Sequence, residues 1–160
     1  MSTSTASPEI ARALTLGECT INVHDAGQGE PVLLIHGSGP GVTAWANWRG
    51  VIPVLSQRAR VVAPDMLGFG YTSCPAGMPL DVDAWVRQLT GLLDALDLPQ
   101  VSVVGNSFGG AIALALAHRH PGRVKRLVLM GAVGVPFPIS EGLEKVWGYQ
   151  PSLQAMRELI

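Results

Sequence analysis

Residues 105–109 read Gly-Asn-Ser-Phe-Gly, with the apolar run Val-Ser-Val-Val directly before them and Gly-Ala-Ile-Ala-Leu-Ala-Leu-Ala directly after. A G-x-S-x-G segment between a strand and a helix is a nucleophile elbow: the serine sits on a turn so sharp that its hydroxyl stands clear at the top of the sheet. A turn of that kind leaves no room for side chains two positions either way, which is the physical demand for glycine at both ends. The alternative for the bare motif is a serine capping a helix at a tight turn; the flanking apolar runs favour the elbow. This segment predicts a strand at Val101–Val104, a helix at Phe108–His118, and Ser107 as the nucleophile.

The rest of the chain repeats the strand–helix alternation. Thr20–His24, Val32–Ile35, Arg60–Ala63 and Arg126–Met130 read as short apolar strands. Trp45, Trp48, Ile52 and Leu55 have helical spacing, with Pro53 kinking or shortening that helix. Asp81 or Asp83 caps a helix running to about Leu96, and helical pieces follow near Gly142–Trp147 and Ser152–Ile160. Strands that alternate with helices predict a mostly parallel sheet with helices on both faces. The 48% hydrophobic content agrees, because strands of such a sheet are buried on both sides. Residues 1–15 read as a loose leader.

Charge and cysteine content narrow the function classes. The net charge is −1, and the one basic cluster, His118–Arg126, reads as a solvated helix end and turn, so no nucleic-acid partner is expected. The longest apolar run, Ala111–Ala117, is far shorter than the roughly 20 residues a membrane span takes, and Met1–Ile10 lacks the marks of a signal peptide. A cytoplasmic location with no membrane partner is expected. Cys19 and Cys74 carry no motif and read as packing residues.

A helix N-terminus behind Ser107 aims the Phe108 amide where negative charge develops, and the macrodipole favours that charge. The second oxyanion donor is expected from the glycine-rich loop His36-Gly37-Ser38-Gly39 after an earlier strand, specifically from Ser38. His36 and Asp65 lie at strand ends, where loop-shaping and turn-stabilising roles fit better than catalysis. In elbow enzymes the acid and then the histidine follow the serine. No Asp follows Ser107; the later carboxylates are Glu141, Glu144 and Glu158, and the later histidines are His118 and His120. Eleven residues of helix span roughly 16 Å, which places His118 out of reach of Ser107. The chain is therefore expected to be a fragment, inactive by itself.

Four segments carry a family resemblance: LIHGSGPGVTAWANWR, APDMLGFGYTSCP, VVGNSFGGAIALALAHRHP and RLVLMGAVGVPFPISEGLEKVWGYQPS. In these the chain resembles the meta-cleavage-product hydrolases, α/β-hydrolases that cut a carbon–carbon bond in ring-fission products of aromatic degradation; the likeness is greatest to members acting on 2-hydroxymuconic semialdehyde. The resemblance implies an α/β-hydrolase fold cut off after its sixth strand, with 16–133 as the first part of the core and 134–160 as the start of a helical lid. It implies Ser107 as nucleophile, Ser38 and Phe108 at the oxyanion hole, and Gly37, Gly39, Asn47 and Asn106 against a dienoate substrate. It implies no cofactor and no metal, and leaves a homo-oligomer open for the full-length enzyme. The expected reaction releases a 2-oxo-4-enoate and a carboxylic acid. An esterase on the same fold and a non-catalytic binding chain are the alternatives.

Overall fold

The structure is a computed structural model that describes residues 7–134, 136, 138–148, 152, 154 and 157. Its elements in chain order are β1 (Arg12–Leu16), β2 (Cys19–Ala26), β3 (Pro31–Ile35), α1 (Ala44–Trp48), α2 (Ile52–Leu55), β4 (Arg60–Pro64), α3 (Val82–Ala95), β5 (Val101–Asn106), α4 (Phe108–Arg119), β6 (Val124–Met130) and α5 (Glu141–Trp147), with a 3-10 turn at Pro121–Arg123. The strands form one sheet in the order β1-β2-β4-β3-β5-β6. β4, β3, β5 and β6 run parallel, while β1 and β2 add an antiparallel hairpin at one edge.

Helices cover both faces, and the strand pleat sorts residues between them. Leu33 and Ile35 face a core built with Val86, Leu89, Leu92 and Leu93 of α3 and Ile112, Ala113 and Leu116 of α4. Leu34 between them faces the opposite core, with Ala44, Trp48 and Ile52 of α1 and α2. This double burial is why these strands read as unbroken apolar runs rather than alternating ones. Pro53 sits in the first turn of α2, so the single interrupted helix is two short ones. Asp81 rather than Asp83 caps α3, its Oδ1 accepting the Ala84 amide at 2.7 Å, which contributes about 1 kcal/mol.

The leader expected over 1–15 needs correction, because Arg12–Leu16 is β1. Its alternation is short and only Leu14 is fully buried, so it becomes a strand through pairing with β2 across a two-residue turn at Gly17. The helical piece expected over Ser152–Ile160 rests mostly on residues outside the described ones. On β6, Val128, Leu129 and Met130 are 40–52% exposed. No described helix is long and apolar enough to cross a membrane.

Candidate active site

Ser107 follows β5 and precedes α4 with φ 51° and ψ −115°, a left-handed conformation that a serine adopts only when its surroundings enforce it. The enforcement is visible. Its amide donates to the Met130 carbonyl at 2.8 Å, and its carbonyl accepts the Gly110 and Val133 amides at 2.9 and 3.3 Å. The glycine demands of the motif are equally concrete. A Cβ on Gly105 would lie 2.5 Å from the Gly109 carbonyl oxygen, and one on Gly109 would meet the carbonyl oxygens of Ile35 and His36. The first turn of α4 is thereby seated on the backbone that ends β3, which brings the His36–Gly39 loop beside the elbow.

Asparagine side chains lock loop and elbow together. Asn47, on α1, accepts at Oδ1 both the Gly37 amide (2.9 Å) and the Asn106 Nδ2 hydrogen (3.0 Å). The absence of a side chain at Gly37 permits this, since a Cβ there would sit 3.2 Å from Asn106 Nδ2. Ser38 and Gly39 are exposed beyond this anchor. The seven expected residues (Gly37, Ser38, Gly39, Asn47, Asn106, Ser107 and Phe108) thus lie on one loop, one helix and one elbow that are joined through Gly37, Asn47 and Asn106. Phe108 packs its ring edge-to-face on Trp85 (centroids 4.7 Å apart) and against Phe69 (5.5 Å), which fixes the residue following Ser107.

His36 and Asp65 hold the loops. His36 is fully buried. Its Nε2 accepts the Met66 amide at 2.9 Å, so the proton resides on Nδ1, which donates to the Gly37 carbonyl at 2.6 Å. Asp65, also fully buried, accepts the Ala44 amide at Oδ1 (2.6 Å), and Asn22 Nδ2 and the Tyr71 amide at Oδ2 (both 2.8 Å). Sequence reasoning missed three supports of this turn: Asn22, Gln88 and Phe69. Gln88 clamps the Asp65 carbonyl and the Leu67 amide (both 2.9 Å), and Phe69 lies edge-on to His36. Only Asn22 left a signal, as a polar residue between Ile21 and Val23 inside an apolar strand.

Burial lowers the pKa of His36 below 6.5, only partly offset by its bond to the Gly37 carbonyl and by the Asp65 charge. A second ring proton would also set Nε2–H against the Met66 N–H. The unfolded chain therefore takes up a proton before the folded one does. This contribution to stability is complete above about pH 6.5 and is lost as pH falls from there towards the lowered folded value, at up to about 1.4 kcal/mol per pH unit. Denaturant melts between about pH 7 and pH 5, above the range where ordinary carboxylates titrate, should show a falling midpoint. A flat midpoint across that window would show that the ring is protonated without cost.

None of the four histidines is placed as a base for Ser107. His36 is engaged at both nitrogens, and His24 stacks on Trp45 from β2, with β4 and β3 between it and β5. His118 and His120 are exposed at the far end of α4.

Comparison with known proteins shows the family of the chain. The chain is 60% identical over 154 residues to 2-hydroxymuconate semialdehyde hydrolase of Pseudomonas sp. (strain CF600), covering 96% of this chain and 54% of that protein. It is 59% identical over 152 residues to 2-hydroxy-6-oxo-2,4-heptadienoate hydrolase of Pseudomonas putida, covering 95% and 55%. Among solved structures, a meta-cleavage product hydrolase from Pseudomonas fluorescens superposes with a TM-score of 0.84 at 51% identity, covering 94% of this chain and 56% of that one. The chain spans about half the length of the curated relatives it matches. The resemblance to the meta-cleavage-product hydrolases is therefore borne out across nearly all of these residues. With the alpha/beta hydrolase fold description matching residues 30–155, and with the elbow in its strand–turn–helix setting, the chain belongs to the alpha/beta hydrolase fold family.

Proposed function

We propose that these residues are the nucleophile-bearing half of a serine-dependent hydrolase that cleaves a carbon–carbon bond in a meta-ring-fission product, a 2-hydroxy-6-oxo-dienoate or 2-hydroxymuconic semialdehyde, in the cytoplasm. The observation that carries the reading is the strained Ser107 elbow, tied through Asn106 and Asn47 to the His36–Gly39 loop. The names of the relatives support the substrate class.

In this mechanism the dienol first ketonises, which places a carbonyl and an electron sink on either side of the scissile bond. Ser107, or water it activates, adds to the 6-oxo carbon. The amides of Phe108 and Ser38 donate to the oxygen that becomes negative, and preorganised donors of this kind are worth about 3–4 kcal/mol each. The carbon–carbon bond then breaks, its electron pair moves into the 2-oxo-3-enoate system to form a dienolate that takes up a proton, and water completes release of the carboxylic acid. Serine needs a general base for this, and none of the four histidines of these residues is placed to serve Ser107. Gly37 positions the asparagine pair, while Gly39, Asn47 and Asn106 receive the dienoate end.

The test uses a chain of the relatives' length containing these residues, assayed on a dienol substrate and on a simple neutral ester. Preference for the dienol supports the proposal, and preference for the ester makes the protein an esterase. Asn47→Ala and Asn106→Ala should each cost the dienoate reaction about 1–3 kcal/mol, because hydrogen bonds to a charged carboxylate are the stronger kind. The ester reaction should lose less. Equal losses on both substrates would reduce the pair to the bracing of loop against elbow seen here.

A further inference from the structure

Two cysteines flank an isolated bridge, Cys19 at the start of β2 and Cys74 on the segment that meets it. Thr20 and Ser73 form an isolated antiparallel bridge and exchange both backbone hydrogen bonds, each 2.9 Å. They are thus a hydrogen-bonded pair, and one residue back on β2 and one forward on the other segment bring Cys19 beside Cys74 just past this isolated bridge. In antiparallel pairing such a neighbour is the non-hydrogen-bonded kind, with Cα atoms about 4.5 Å apart and side chains on one face. Disulfides need Cα separations of about 4.4–6.8 Å, the range in which such a pair falls. Both cysteines are reduced, and they pack in one apolar cluster with Met78, whose sulfur is 3.6 Å from Cys19 Sγ. Pro75 follows Cys74 and holds it extended.

We propose that Cys19 and Cys74 are a redox-sensitive pair, which a low-molecular-weight disulfide such as oxidised glutathione converts to an intrachain disulfide. Cys74 is the point of entry, since it is half-buried whereas Cys19 is 5% exposed. Burial, followed by the neighbouring Cys74, pushes the Cys19 thiol pKa up, which keeps it protonated and slow towards outside reagents. The Cys74 thiolate attacks one glutathione sulfur and expels a glutathione thiolate, which takes the proton Cys74 lost. Cys19 then gives up its proton, attacks the Cys74 sulfur of the mixed disulfide and expels the second glutathione as its thiol. Two protein thiols are oxidised and one glutathione disulfide is reduced to two thiols. The product staples the segment after the Asp65 turn to β2.

The test incubates a native chain of the relatives' length containing these residues with oxidised glutathione, quenches with acid, labels remaining thiols with a maleimide in denaturant, and maps peptides by mass spectrometry. The expected result is a cross-linked peptide joining Cys19 to Cys74, with neither thiol labelled. The mixed disulfide should resolve at least about tenfold faster in the native chain than in concentrated urea, where only loop closure brings the thiols together. Cys19→Ser should stop at a glutathione adduct on Cys74. Cys74→Ser, a change at a half-buried position, should leave Cys19 unmodified. A native chain that ends as the adduct, that reacts at neither thiol, or that cross-links no faster than in urea would overturn the proposal.

Discussion

Ser107→Ala, in a chain of the relatives' length containing these residues, is expected to lower carbon–carbon cleavage at least about 10³-fold, the usual scale for loss of a serine nucleophile. The effect should fall on chemistry and not on folding. Alanine and serine are equally strained at φ 51°, and what holds the elbow is backbone: the Ser107 amide to Met130, and its carbonyl to Gly110 and Val133. Ketonisation of the dienol is expected to persist, because the His36–Gly39 loop and the asparagine brace are untouched. Stopped-flow absorbance separates the two events, since ketonisation removes the dienol chromophore before cleavage releases products. Cleavage at the wild-type rate in the alanine variant would remove Ser107 from the mechanism.

Asp65→Ala carries the largest expected cost in stability, about 3–5 kcal/mol. The deleted carboxylate leaves three donors without an acceptor: the Ala44 and Tyr71 amides and Asn22 Nδ2. Each such loss in a buried site costs about 1–3 kcal/mol. The carboxylate is also packed directly against Gly70, at φ 55°, where a Cβ would lie 2.5 Å from Asp65 Cγ, so its removal leaves a void in the turn. Asp65→Asn should cost less and still be harmful, since one amide oxygen cannot serve three donors and its NH₂ opposes one of them. The damage should also reach activity, because the Ala44 amide begins α1, which carries Asn47. Denaturant unfolding of both variants measures the cost. A loss below about 1 kcal/mol for Asp65→Ala would mean that water replaces the carboxylate.

The parts of this protein that were legible in its residues are those governed by local sterics and period. Gly-Asn-Ser-Phe-Gly placed the elbow because only glycine escapes the clashes two positions from a serine turned this sharply. Unbroken apolar runs such as Val-Leu-Leu-Ile placed the doubly covered strands, and an aspartate at 81 or 83 announced the helix by its capping chemistry. The reading of His36 and Asp65 as loop-shaping also followed from position, at strand ends before glycine turns.

What pairs across the chain was not legible, because no local pattern encodes a partner tens of residues away. Arg12–Leu16 became a strand through β2, and Asn22 and Gln88 became parts of the Asp65 turn only when β2, β4 and α3 were brought together. The asparagine brace depends on α1 and β5 converging over Gly37, and the two cysteines, unremarkable packing residues in the sequence, were set beside each other by the Thr20–Ser73 bridge. Sequence by itself determined where the strained serine turn falls and what class of sheet holds it, since both are matters of excluded volume and periodic burial. The tertiary structure decided which groups hold the surroundings of that serine in place, because a hydrogen bond or a ladder register exists only once both of its ends have been folded to the same point.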